Sequence, residues 1–318
     1  MALALPLAAG DSPAQTTPAN VPAHDLLSQG RVDQAITLLQ ARKQTSPQDA
    51  EAHHLLCRAY FELERWDDAT AAGQRAVALQ PSNSDYHLWL GRAYGEKAEH
   101  SNFITAWSLA RKVRSEFERA VALNSANVDA RSDLAEFYLE APSLLGGGKD
   151  KALAQARQIA PLDAASAHWI QARLAEKDKQ LDIAEKEYHL AIQSTSHPSG
   201  RWLDLAAFYR RAGRMNDMEE AINKAATAET RRSNVFFGAA ELLVRAGRNF
   251  PAAAQLVRKY LASNSPVEEA PAFQAHYLLG SILEKQGDKR AAAAEYRAAL
   301  ALAKDYEQAQ QGLRRVER

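Results

Sequence analysis

One pattern recurs down most of this chain and limits what it can fold into: a short amphipathic helix, a turn, a second helix lined with small residues, and a stop. It is clearest from Ala50 to Asn83. Leu56, Cys57 and Tyr60, with His53 one turn earlier, share one face of the first helix. Arg65-Trp66-Asp67-Asp68 breaks the periodicity. A second helix then carries Ala69, Gly73, Ala76 and Val77 on one face, where small side chains let two antiparallel helices approach closely, and Pro81 ends it. A single helix pair cannot bury its apolar face alone, so the recurrence predicts a stack in which each pair covers the next.

The unit resembles the tetratricopeptide repeat, whose signature W-x2-L-G-x2-Y, then A-x3-F, then P, returns at a period of 34. His53 stands for the Trp, Cys57 for the Gly and Gly73 for the Phe. The next unit fits better, with Leu90-Gly91, Tyr94, Phe117 and Ala120 in place. The resemblance implies an all-α, right-handed superhelical solenoid of antiparallel helix pairs. About seven to eight repeats, low in contact order and stabilised between neighbours, would end in a capping helix.

Taken in order, residues 1–22 read as an unstructured leader, 23–305 as the solenoid and 306–318 as the cap. Ala23 to Asp49 is a partial unit, and Ala50 to Asn83 a complete one. Ser84 to Asn127 is overlong, its surplus at about 98–113 reading as an N-terminal extension of the second helix capped by Ser101 or Asn102. The fourth unit carries another insertion at about 141–149. Both insertions fall at the same turn of successive units. Phe103, Ile104 and Trp107 are therefore expected to pack on Leu144 and Leu145, forming an edge platform that reaches Lys149. Divergent units follow from about Ala165, and the pattern returns at Leu279-Gly280, Ala292 and Tyr296.

Lysines and arginines equal aspartates and glutamates, 39 against 39, which argues against a nucleic-acid partner. No apolar run is long enough to span a bilayer. A single cysteine, Cys57, excludes an internal disulfide and a multi-cysteine metal site. Met1 to Ala9, MALALPLAA, has the composition of a secretory signal lacking its basic start, so a periplasmic or secreted setting in a bacterium is expected, with a cytoplasmic one as the alternative. The sequence leaves a homo-oligomer open without indicating one.

No catalytic or metal-binding motif is present, and no cofactor is implied. His53, His87, His168 and His276 all take the fourth place of their units, where Trp202 and Phe237 stand elsewhere, so they read as packing residues. Gly146-Gly147-Gly148-Lys149 departs from the phosphate-loop pattern and reads as a turn, anion capture or an enzyme site there being the lesser readings.

Function is expected in the concave groove. In tetratricopeptide proteins the second, fifth, ninth and twelfth places of the first helix line that surface, and the resemblance implies the same here. Those places include His54, Arg58, Arg92, Trp169, Arg173, Arg210, Arg245 and Tyr277. The arginines would make a broken basic stripe, for which an acidic or C-terminal peptide is the expected ligand. The expected function is a non-enzymatic adaptor that binds a protein or peptide. The alternative is a regulatory sensor of a short signalling peptide or small anionic ligand.

Overall fold

The structure is a computed structural model that describes residues 22–229, 233–263 and 270–318. The leader, residues 1–21, lies outside the described residues. Among the described residues, seventeen α-helices follow one another. They are α1 (Ala23–Ser28), α2 (Val32–Thr45), α3 (Ala50–Glu62), α4 (Trp66–Leu79), α5 (Ser84–Glu99), α6 (Phe103–Leu123), α7 (Val128–Glu140) and α8 (Lys149–Ile159). After these come α9 (Ala164–Lys177), α10 (Leu181–Gln193), α11 (Ser199–Arg211), α12 (Met215–Thr227), α13 (Asn234–Arg245), α14 (Phe250–Ala262), α15 (Ala272–Lys285), α16 (Lys289–Leu302) and α17 (Glu307–Val316). Eight helix pairs and a last helix form an all-α tetratricopeptide-like solenoid.

Local chemistry sets the boundaries. Asp49, Asn83, Asn127 and Asp163 precede α3, α5, α7 and α9, and each side chain accepts the N–H three residues on, from Ala52, Tyr86, Ala130 and Ser166 at 2.9–3.3 Å. Each such cap contributes about 1 kcal/mol. Asn102 caps α6 in the same way, through the Thr105 N–H at 3.1 Å, as the spacing predicts. Most turns between paired helices contain a left-handed residue. Gly30, Gly213, Gly247 and Gly287 supply it, while Glu64 and Lys179 adopt φ of 59° without being glycine.

Within a pair, bulk on one helix is matched by absence of bulk on the other. A Cβ at Gly91 would lie 2.5 Å from Phe117, and one at Gly280 would lie 2.8 Å from Tyr296. The second unit reverses the arrangement, with Cys57 on the first helix against Gly73 on the second. This explains why both positions depart from the repeat signature together. Between units, Gln40 and Gln74 donate to the Tyr60 and Tyr94 hydroxyls, and Tyr138 donates to Glu118, each pair 20 residues apart.

The expectation of contacts between neighbours alone is incomplete, because the two ends of the solenoid meet. Leu26, Leu27, Val32, Leu55 and Leu56 share one buried cluster with Phe273, Ala299, Ala303, Tyr306 and Ala309. The Lys304 N–H donates to Asp33 at 2.9 Å, and Gln274 Nε2 donates to the Glu62 carbonyl at 3.0 Å. A Cβ at Gly30 would lie 2.5 Å from the Ala272 nitrogen. The last helix, expected as a simple cap, thus also seals a ring through Tyr306 and Ala309.

The edge platform does not form as expected. Phe103, Ile104 and Leu144 are 76%, 82% and 82% exposed, and Phe103 meets Trp107 of its own helix at a tilt of 45°. The 3-10 turn Ser143–Leu145 docks instead at Arg114, whose Nη1 donates to the Leu145 carbonyl at 3.0 Å, with Leu145 buried. Arg114 lies about 16 Å along the helix from Phe103 at a rise of about 1.5 Å per residue. The insertion meets the middle of α6 and leaves its tip bare.

Phe273→Ala should cost about 3–5 kcal/mol. Because that side chain is shared by both ends, amide-exchange protection should fall in α1–α3 as well as in α15–α17; loss confined to α15–α17 would contradict the shared core. Lys179→Gly should raise the denaturant midpoint, by up to about 1 kcal/mol of stability, through relief of the left-handed backbone.

Candidate functional site: an acidic cavity inside the ring

The last turns of α3, α5 and α7 face the inside of the ring, and α15 and α17 close over them. Between them lies a cavity of about 850 Å³. One wall is aromatic. Phe61 meets Trp66 and Trp89 edge-on at 5.3 and 5.6 Å, and Trp66 lies against the His100 ring at 5.6 Å. Gln274 and Gln308, from the closing end of the chain, complete the lining.

The other walls are carboxylates: Glu62, Glu64, Glu96, Glu99, Asp133, Glu136 and Glu140. Arg92 is the arginine among the lining residues, and its Nε donates to Asp133 at 2.6 Å. Burial raises the Glu96 carboxyl, with repulsion from Glu99 and Glu64 adding to it. Burial likewise raises Glu64, Asp133 and Glu136 against the opposing pull of Gln308, Arg92 and Arg173 respectively. Glu64, Glu96 and Glu99 have no ion-pair partner among the described residues. Glu64 also holds the left-handed turn place that glycine fills in other units.

The groove residues read from the sequence divide. Arg92 lines the cavity, and it also stacks on Trp89 at 5.1 Å. Arg58 covers Trp89 at 4.7 Å. Arg173 is held by Glu136, Glu140 and Glu176 at 3.2–3.6 Å, and Arg245 by Glu241 at 3.4 Å. Arg210 is half-buried. Fifth-place residues point into the seam between units instead of into the groove. His54 is buried and stacked on Tyr86 at 4.6 Å, and burial pulls its pKa down to about 3, so it is a neutral packing residue. Trp169 packs against both larger core clusters, and Tyr277 packs between Tyr296 and Tyr306. Arg92, Arg173 and Arg245 therefore serve as ion-pair partners, and Arg58 as the cover of Trp89, in place of an open basic stripe.

Sequence reasoning missed the glutamates, although a signal was present. Glu62, Glu96 and Glu140 all stand at the thirteenth place of three successive first helices, one beyond the twelfth-place Phe61 and Gly95 that also line the cavity. The fourth-place histidines pack as expected and are tied to their partner helices, His87 to Glu116, His168 to Glu187 and His276 to Glu295 at 2.6–2.7 Å. The glycine insertion is a turn: the Gly146, Gly147 and Gly148 amides donate to the Ser143, Pro142 and Tyr138 carbonyls, so they are not aimed at an anion, and Lys149 pairs with Asp178. Among the described residues no group of three or more His, Cys, Asp or Glu could hold a metal ion, and no helix is long and apolar enough to cross a membrane.

Residues 26–93 and 237–307 match two tetratricopeptide repeat family models. The chain belongs to the tetratricopeptide repeat family. Among curated proteins it is similar to mouse Superkiller complex protein 3, at 23% identity over 235 residues covering 70% of this chain. The chain spans about 14% of that protein's length. Among solved structures, yeast Tom70 superposes with a TM-score of 0.53 at 15% identity, over 96% of this chain and 65% of that one. A tetratricopeptide repeat protein of Thermus thermophilus gives 0.48 at 23% identity, over 58% and 94%. At such identities the likeness concerns the fold. Tetratricopeptide solenoids generally mediate protein–protein interaction and are typically non-enzymatic.

Glu96→Gln should stabilise the chain at neutral pH. Because the folded carboxyl is raised above its unfolded value, its ionised form works against the fold above that raised pKa, and the penalty fades as pH falls and the carboxyl protonates. The midpoint gain should shrink between pH 7 and pH 4 (about 4.3 being the unperturbed value); a gain that persists unchanged at low pH would contradict the assigned cause.

Proposed function

We propose that this tetratricopeptide protein is a non-enzymatic scaffold that holds an extended polypeptide segment of a partner against the inner face of α3, α5 and α7. The observation that supports the reading is the cavity of about 850 Å³ with an aromatic wall, formed where the ends of the chain meet. Half-buried rings in a concave site offer contact area at low conformational cost. The carboxylate walls speak against the small anionic ligand of a sensor, and the tied amides of the glycine turn speak against anion chemistry there. An export setting rests on the composition of residues 1–9, and fractionation of cells making the tagged full chain tests it.

Gly95 allows a direct test, since it lines the cavity and a Cβ there meets nothing within 4 Å. A photo-crosslinking benzoylphenylalanine at Gly95 should trap polypeptide partners in cells. The same probe at the exposed Ile104 should trap fewer or different ones. Adducts from position 104 alone would move the binding surface to the bare tip of α6.

A further inference from the structure

We propose that the segment held in this cavity is basic, with lysine or arginine side chains reaching between Trp66 and the Glu64, Glu96 and Glu99 carboxylates. The inference rests on the scaffold reading above and gives its partner a chemistry. Seven carboxylates line the cavity against Arg92 and one histidine, His100; Arg92 is already committed to Asp133, and Glu62 has a partner of its own. Arg173 and Lys177, on α9, are spent on Glu136, Glu140 and Glu176. Glu64, Glu96 and Glu99 are left crowding one another, a charge arrangement that an incoming cation relieves.

Two further observations narrow the cation. The carboxylates are spread along the last turns of successive helices and do not converge as metal ligands, so the matching charge is spread out too, as on a polypeptide. The chain also shows the mode of contact within itself. Arg58 and Arg92 both stack over Trp89, at 4.7 and 5.1 Å, where the π-face and nearby carboxylates act on the guanidinium together. Trp66 lines the cavity together with Glu64, Glu96 and His100, and the cations on its outer side, Arg65 and Lys97, are paired with Asp68 and Asp67, so it repeats the combination of aromatic ring and carboxylates. Burial raises Glu64 and Glu96, with like charge from Glu99 and Glu64 adding to it at Glu96, while Gln308 at Glu64 and His100 at both offset part of the rise.

The test is a selection of random dodecapeptides displayed against the full chain. Winners are then measured by fluorescence anisotropy on the native chain, on Glu96→Gln with Glu99→Gln, and on Glu220→Gln, an exposed glutamate on α12 paired with Lys224. The expected winners are rich in lysine and arginine, bind about tenfold more weakly to the double variant and equally well to Glu220→Gln. Acidic or apolar winners, or basic winners that lose equally on Glu220→Gln, overturn the proposal. If the Gly95 probe still traps polypeptides in that case, the scaffold reading stands and only the charge assignment fails; if it traps none, both fail.

Discussion

The structure depends on one contact that no neighbouring pair of repeats provides: the first helices and the last share a core. Phe273 is fully buried where α15 meets α1–α3, and Tyr306, on the approach to α17, lies edge-on to it at 5.0 Å. In an open solenoid each unit touches its neighbours, and stability is close to a sum of local terms. Here residues more than 200 positions apart hold each other, as Gln308 does Glu64 and Gln274 does Glu62. Closure of so long a loop costs only logarithmically more than a short one, and it ties the two ends of the solenoid, which would otherwise fray, to each other.

Closure also makes the cavity what it is. Gln274 and Gln308 reach it from the end of the chain, and Glu62 and Glu64 from the second unit. A site formed by the joining of two ends is concave before any partner arrives, which lowers the ordering cost of binding. Its carboxylates are held against their own repulsion by that fold, so part of the chain's stability is spent on keeping charge together.

Much of this was legible in the residues. The capping Asp49, Asn83, Asn127 and Asp163, the Gly91–Phe117 complement and the fourth-place histidines are local facts, and local facts survive translation into structure. The direction of the fifth-place side chains was not legible. Whether His54 faces the groove or the seam depends on how far the next helix rotates, and Tyr86 happens to lie over it. The ring itself was hidden for the same reason, since closure is the sum of small rotations over eight pairs and no single unit reports it. The charge of the cavity could have been read from Glu62, Glu96 and Glu140, had the thirteenth place been taken with the twelfth. Along a single helix Arg92 and Arg173 read as free groove charges, whereas carboxylates that hold them stand on α7: Asp133 opposite Arg92, and Glu136 and Glu140 opposite Arg173.

The closed ring is the claim on which the cavity stands, and single-molecule energy transfer measures it directly. Arg65 and Asp305 approach to 4.0 Å across the seam, and Cys57 is buried with its thiol pushed up to about 12, so dyes attach to cysteines introduced at those two positions. A closed ring predicts one population with near-complete transfer in the absence of any partner. A broad or low-transfer population would mean that the ends stand apart, and that the cavity is not preformed.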